Sequence, residues 1–517
     1  MNIRTLSLLL IIAWSCTLSE AREFEWSIAE TRVRNAVVQV WTQAASFDWL
    51  NPYRSPDKGQ GAGSGYFIDN KGYLLTNYHV VAGAKSVYVT IPALGRIPLH
   101  VEIVGVCPEV DVALLRVNKE SKKRIEQACG SINALELGNS DVVAKAESVL
   151  ALGYPLGFPS LKITVGCVAG RDFHKGCSIL HVTAPISSGN SGGPVIDHLG
   201  KVVGMTSGSF LGGQKNSAQN YNIIIPSSEV LVILPDLYKG GLVRRLSFGL
   251  ESNKTTLAHA RSLGCPLPTG LYVSYVFKDS LEEKAGIKVG DVLYEVEVHG
   301  AKYKLDEFGD VSVPWRTGER ISVGELLVRC RAGDPLAVTL YRKGQKHRFT
   351  WTFESSKIKS IRMIYPEYEP QEIDYEIIGG LVIMQLRANH FEILLKPGSY
   401  LKELPLLGRP ENQVNPALVV TSILPGSLGH LSDCFVPGFI LDTVNDKKVT
   451  TLQELRDALQ LSLKTGEILI STKDHSSTVF DLREVLNDEK KLSQDFIYPI
   501  TPLVKGLLNS SVGTKAA

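Results

Sequence analysis

Beyond its first residues the sequence has no apolar run long enough to cross a bilayer, and its charge is nearly balanced at +2. The balance argues against a nucleic-acid binder, because no strong positive field exists to neutralise phosphates. One basic run, Lys119 to Arg124, reads as a solvated helix face or loop. Cysteine is sparse. Past Ala21 the remaining seven are Cys107, Cys129, Cys167, Cys177, Cys265, Cys330 and Cys434. An odd number at wide spacing is neither a disulfide framework nor a metal-ligand pattern. Cys167 and Cys177 could bridge the arms of one hairpin; buried apolar thiols are the equal alternative. There is no phosphate-binding glycine loop and no His/Cys cluster, so neither a nucleotide nor a metal cofactor is expected.

What is present begins with a targeting pattern. Arg4, the apolar stretch Leu6 to Trp14, and the small residues Ser19 and Ala21 have the layout of a secretory signal peptide. Residues 1–21 are expected to be removed near Ala21, which sends the chain to a periplasm or out of the cell. Ala13-Trp14-Ser15 before Cys16 is a poor lipid-attachment sequence. No integral membrane segment is expected after cleavage.

At 517 residues, the chain is too long for one core, and three domains are expected. From Val33 to Pro235, AVVQVW, GSGYFI, GYLLTN, SVYVTI, VEIVGV, ALLRV, SVLALG, KITVGCV, ILHVTA, KVVGMTS and NIIIP read as short strands between Gly, Asn and Pro turns. Such spacing indicates an all-β barrel or sandwich, here over residues 28–240. LVILPDLY, from Leu231, should start a short helix that breaks at Pro235. A second unit, 241–355, runs strand, short helix to Ala285-Gly286, tight turn at Gly290-Asp291, strand, and a hairpin about Lys343-Gly344. A third, 374–483, repeats the layout less faithfully through PALVVTSILPGSLGH, PGFILDTVND and TTLQELRDAL. Residues 484–517 read as a tail.

Three strings carry chemistry. TNYHVV, DVALLRV and GNSGGP place His79, Asp111 and Ser191 in that order, about 30 and then about 80 residues apart. A serine hydroxyl is a poor nucleophile at neutral pH and needs an adjacent base, for which His79 is the candidate. Asp111 would hold the imidazole tautomer and stabilise the imidazolium. Glycines around Ser191 let the backbone turn so that the Gly189 and Ser191 amides, with Asn190 between them, converge on a developing oxyanion.

With these strings in view, the chain resembles the HtrA/Deg (protease Do-like) serine endopeptidases, through GSGYFIDNKGYLLTNYHVV, ALGYPLG and, further on, AGIKVGDVL. GDVSVPWRTGERIS and IGGLVIMQL look most like the plant-type Deg branch with two C-terminal PDZ domains. The resemblance implies a mainly β fold: a chymotrypsin-like double β-barrel protease domain followed by two PDZ-like domains, the second divergent. It implies a His79-Asp111-Ser191 triad with an oxyanion hole at Gly189, Asn190 and Ser191. It also implies ATP-independent hydrolysis of unfolded or damaged proteins, no cofactor, and a homo-oligomer built from trimers; the aromatics Phe24 and Trp26 are candidates for contacts there or, equally, for local core. In the first PDZ-like unit, Leu246, Ser247, Phe248, Gly249 and Leu250 would form the loop that catches a peptide's carboxylate. Thr183 stands where the family commonly has an acid, and Asn222 where it commonly has glycine, both near the primary specificity pocket. Phe439 replaces the position held by Asp291 in the first unit. The alternative from another class is a catalytically silent PDZ-containing scaffold or chaperone.

Overall fold

The computed structural model describes residues 33–174, 176–208, 222–245, 248–266, 269–316, 318–354, 359–398 and 400–513. The expected signal peptide, Phe24, Trp26, Leu246 and Ser247 lie outside them. One compact unit holds the described residues of Met1–Ala44, Lys58–Ser274 and Lys284–Ser356. A second holds those of Ala45–Asp57, Tyr275–Glu283 and Lys357–Ala517.

Twelve strands of the first half form two closed six-stranded barrels among the described residues. In the first, β1 (Val37–Ser46), β2 (Asp57–Phe67), β3 (Tyr73–Thr76), β4 (Ala84–Thr90), β5 (Leu99–Cys107) and β6 (Val112–Val117) run β5-β4-β1-β2-β3-β6, and β6 pairs back onto β5. The second uses β7 (Ser148–Gly153), β8 (Lys162–His174), β9 (Cys177–Val182), β10 (Pro194–Ile196), β11 (Val202–Thr206) and β12 (Asn222–Pro226), in the closed order β10-β11-β12-β9-β8-β7. Closure leaves no unpaired edge. Eleven of these strands coincide with expected segments; β10, only three residues long, shows no readable period.

Strands β7, β9 and β12 of the second barrel are apolar on both faces, and alternation sorts their side chains. Val149, Ala151, Leu180, Val182 and Ile224 share one buried cluster. Their neighbours Leu150, Leu152, Ile179, Ile223 and Ile225 join another, with Tyr66, Leu75 and Leu114 of the first barrel. Each such side chain contributes about 1.5–3 kcal/mol by leaving water, so the same alternation that fills one barrel also joins the two. The helix after β12 spans Ser227–Leu237, four residues earlier than expected at its start, and Pro235 sits within its final turn. Val230 and Ile233 are the buried stripe that sets it. The basic run forms the expected helix, Lys119–Cys129, capped by Asn118, with Arg124 paired to Glu120 on its exposed face.

Cys167 and Cys177 are free. The hairpin register sets Cys177 opposite His174, whereas Cys167 lies beside Thr183, so the two are too far apart along the strands to bridge.

Further on in the first unit, a sheet runs Leu250–Lys254, Leu271–Val276, Val292–Val298, Pro335–Arg342 and Gln345–Thr352, with Ala301–Lys304 alongside Val292–Val298. A small hairpin pairs Asp310–Ser312 with Arg320–Ser322. In the second unit, Tyr375–Ile378, Leu381–Gln385 and Leu418–Ile423 make one sheet, and Lys447–Lys448, Leu441–Val444, Glu467–Thr472 and Ser477–Asp481 another. Residues read as a tail form the helices Leu482–Asp495 and Pro502–Gly513. Leu482, Val485, Leu486, Val504 and Leu507 pack with Ile468 and Ile470 into that unit's core. The spacing of Leu482, Val485, Leu486, Glu489 and Leu492 is an amphipathic stripe that lacked a visible partner in sequence.

Candidate active site

His79 rides on a four-residue helix, Tyr78–Val81, between β3 and β4. Such a short helix cannot satisfy its own first amides, and Asp111 does so from outside. The Asp111 carbonyl accepts from Tyr78 N (3.1 Å) and Asn77 Nδ2 (2.9 Å), and its Oδ1 accepts from His79 N (2.9 Å). At the far end, Thr42 donates to Val80 O (2.8 Å). Asp111 ends the Cys107–Asp111 turn with φ of 60°, a left-handed conformation that aspartate tolerates better than most residues.

The imidazole closes onto the same carboxylate, with His79 Nδ1 2.8 Å from Oδ2 and 3.0 Å from Oδ1. A bond to a carboxylate requires the proton on Nδ1, leaving the Nε2 lone pair free to accept one. Asp111 is buried, while His79 is about one-third exposed. Ser207, just after β11, donates to Asp111 Oδ2 at 2.8 Å.

Ser191 sits in the turn before β10, half-buried. A Cβ on Gly208, the residue after Ser207, would lie 3.4 Å from Ser191 Oγ, so the segment that bonds the carboxylate runs on past the serine. Gly63 separates the Ser191 carbonyl from Val80; a side chain there would strike both. Among the described residues no hydrogen bond joins His79 to Ser191, and such bonds often tighten only when substrate binds.

The turn is locked through its carbonyls. Ser64 Oγ donates to Gly189 O (2.8 Å) and accepts from Tyr154 N (2.9 Å), and Ser64 N donates to Ser191 O (2.8 Å). Asn190 O accepts from Gly193 N (2.8 Å) and from Thr206 Oγ1. Gly192 has φ of 87°, and a Cβ there would land on Ser64 O and the Thr76 hydroxyl. With the carbonyls tied back, the Gly189 and Ser191 amides have no acceptor among the described residues, whereas the Asn190 amide donates to Ser187 O (3.0 Å). The arrangement can hold a hydroxyl, a base with its carboxylate, and two free donors in one place.

Comparisons with known proteins bear on the part of the chain that carries this site. A family model described as Trypsin-like peptidase domain matches residues 63–205. Residues 63–205 are thus similar to that domain family, and His79, Asp111 and Ser191 all lie within the matched residues. A probable periplasmic serine endoprotease DegP-like of Pseudomonas fulva is 32% identical over 244 residues, 46% of this chain and 48% of the relative. One of the same name from Bartonella henselae is 26% identical over 427 residues, 81% of this chain and 73% of the relative. The Pseudomonas match spans about half the length of that curated relative. Among solved structures, a variant of the HtrA-type protease AlgW with decapeptide has a TM-score of 0.50 at 24% identity, covering 63% of this chain and 96% of that one. That likeness concerns the fold alone. No helix among the described residues is long and apolar enough to cross a membrane.

Three residues that sequence reading did not single out support the candidate site: Ser207, Ser64 and Asn77. Ser64 and Asn77 stood inside the strings that carry the resemblance, and Ser207 closes the strand string KVVGMTS, where nothing local marks its role. The two departures from the family pattern are structural ties. Thr183 Oγ1 accepts from Cys167 N (2.9 Å), and Asn222 Nδ2 donates to Ala184 O (2.8 Å), joining β12 to the chain beyond β9. In the expected carboxylate loop, Phe248 packs its ring near Trp351 and Phe353, and Leu250 is buried at the start of its strand.

Proposed function

We propose that the chain is a serine endopeptidase of the HtrA type. The observation that supports this most is the Asp111 carboxylate gripping His79 Nδ1 at 2.8 Å while Ser207, bonded to the same carboxylate, leads into Gly208 beside Ser191. Ser191 Oγ attacks the substrate carbonyl carbon as its proton passes to His79 Nε2. The oxyanion takes hydrogen bonds from the Gly189 and Ser191 amides. His79 returns the proton to the leaving amine as the C–N bond breaks, and water then releases the acyl group from Ser191 by the reverse sequence. Unfolded or damaged proteins are the proposed substrates, because extended segments are needed to enter a strand-lined cleft.

Residues 241–355 and 374–483 are proposed as PDZ-like units. Leu250–Lys254 lies at the end of its sheet's strand order, the position from which an extended peptide can be added as a further strand. Export through residues 1–21 and assembly from trimers complete the proposal.

Purified protein should degrade denatured casein and Ser191→Ala should not, and an organofluorophosphonate should label Ser191. Equal digestion by both proteins, or none by either with no labelling, overturns this reading in favour of a binding scaffold.

A further inference from the structure

A cavity of about 430 Å³ lies where the end of the second barrel meets the Asp310–Ser322 hairpin, within the first compact unit. Its walls include Val142, Val143, Val168 and Trp315, and it also contains Arg171 and Arg316. The size falls in the range of small-molecule sites.

The charges around it do not balance. Asp141 is held bidentately by Arg329 (2.6 and 2.7 Å), with Arg316 at 3.6 Å. Glu325 pairs with Arg316 (2.6 Å) and accepts from Ser178 Oγ (3.0 Å). Glu319 pairs with Lys145 (2.9 Å). Four cations, Lys145, Arg171, Arg316 and Arg329, thus meet three carboxylates, an excess of one positive charge. The unmatched group is Arg171. Its Nη2 donates to the Ser140 carbonyl and to Val143 O (3.3 Å), and among the described residues it has no carboxylate partner.

Donors are left over as well as charge. Arg171 Nη1, Arg316 Nε and Trp315 Nε1 are all buried without an acceptor, and the Arg316 side chain is only 5% exposed. A buried unpaired donor costs about 1–3 kcal/mol and more when charged, so three together ask for a shared acceptor. Burial, and then the neighbouring Arg316, push the Arg171 guanidinium down to about 10, against the opposing pull of the Asp141, Glu325 and Glu319 charges, none of which bonds to it.

We propose that this cavity binds a small organic monocarboxylate, its oxygens between the guanidinium groups of Arg171 and Arg316 and its apolar body against Trp315, Val142 and Val168. One negative charge cancels the excess, where a dianion would reverse it. A carboxylate can also accept paired bonds from a guanidinium fork. The site is separate from His79 and Ser191, so it can be tested without reference to hydrolysis.

The test is calorimetric titration of the full chain with benzoate, and with benzamide as the uncharged isostere, in a buffer free of carboxylates. Benzoate should bind with a Kd on the order of 1 mM, and benzamide at least about tenfold more weakly. Arg171→Gln should weaken benzoate binding by a similar factor. A second variant guards against misfolding of the first. Gly170 lines the cavity, and a Cβ there meets nothing within 4 Å, so Gly170→Val keeps every charge and fills the space. It should abolish binding while leaving the thermal midpoint near that of the unaltered protein. Equal binding of benzoate and benzamide, no benzoate binding, or undiminished binding in folded Gly170→Val each overturns the proposal.

Discussion

Ser207 Oγ and His79 Nδ1 bond to the same oxygen of Asp111, each at 2.8 Å. The shared acceptor fixes the carboxylate plane and with it the direction in which the imidazole points. Hydrogen bonds to a charged acceptor are worth about 1.5–3 kcal/mol. Ser207→Ala should therefore lower kcat/KM on an unfolded substrate by roughly tenfold or more while the thermal midpoint barely moves. An unchanged kcat/KM would show that Ser207 is only packing.

Asp111→Asn preserves the shape of the site but offers His79 an amide, which favours the wrong imidazole tautomer. On the proposed mechanism kcat falls by about 10,000-fold. Fluorophosphonate labelling of Ser191 should slow in parallel. Near-normal turnover would remove Asp111 from the mechanism.

Gly192→Ala tests the turn rather than the chemistry. Its positive φ carries strain of about 1–3 kcal/mol for other residues, and the added Cβ collides with the Ser64 carbonyl. The variant should melt lower and lose activity, because Ser64 can no longer hold the Gly189 and Ser191 carbonyls together. Wild-type labelling rates from a protein with an unchanged midpoint would contradict this.

Glu489 gives a prediction about pH. It is buried on the helix Leu482–Asp495, accepts from Tyr498 Oη at 2.7 Å, and has no partner at Oε2. Burial, with the Glu376 and Asp488 charges added, raises its pKa from 4.5 to about 7. The folded state therefore holds a proton that the unfolded chain releases. That stabilisation is complete below pH 4.5 and is lost as pH rises through about 7. Glu489→Gln, which keeps the acceptor for Tyr498, should raise the midpoint at pH 8 by the equivalent of about 2–3 kcal/mol and change it little near pH 4. A larger gain in acid than in base would reverse the sign and sink the argument.

Much of the two-barrel region is legible locally because strands alternate with period two and turns have their own residue chemistry. GSGYFI, GYLLTN and SVLALG can be read as strands without knowing what they pair with. What was not legible has the opposite character. The three residues of β10 are too few to display a period. The helix Leu482–Asp495 shows its apolar stripe, but a stripe says nothing of its partner until Ile468 and Ile470 supply one. Cys167 and Cys177 look bridgeable by proximity in sequence, and only the hairpin register separates them.

The sequence by itself determined the order of His79, Asp111 and Ser191, the glycines that let the nucleophile turn form, and the short strands around them, since each depends on a few neighbouring residues. The tertiary structure alone decided that Ser207 reaches Asp111 across 96 positions, and that Arg171 and Arg316 face one cavity without a carboxylate to spare. Such meetings follow from the summed register of two closed barrels and the hairpin packed beside them, and no local pattern encodes that sum.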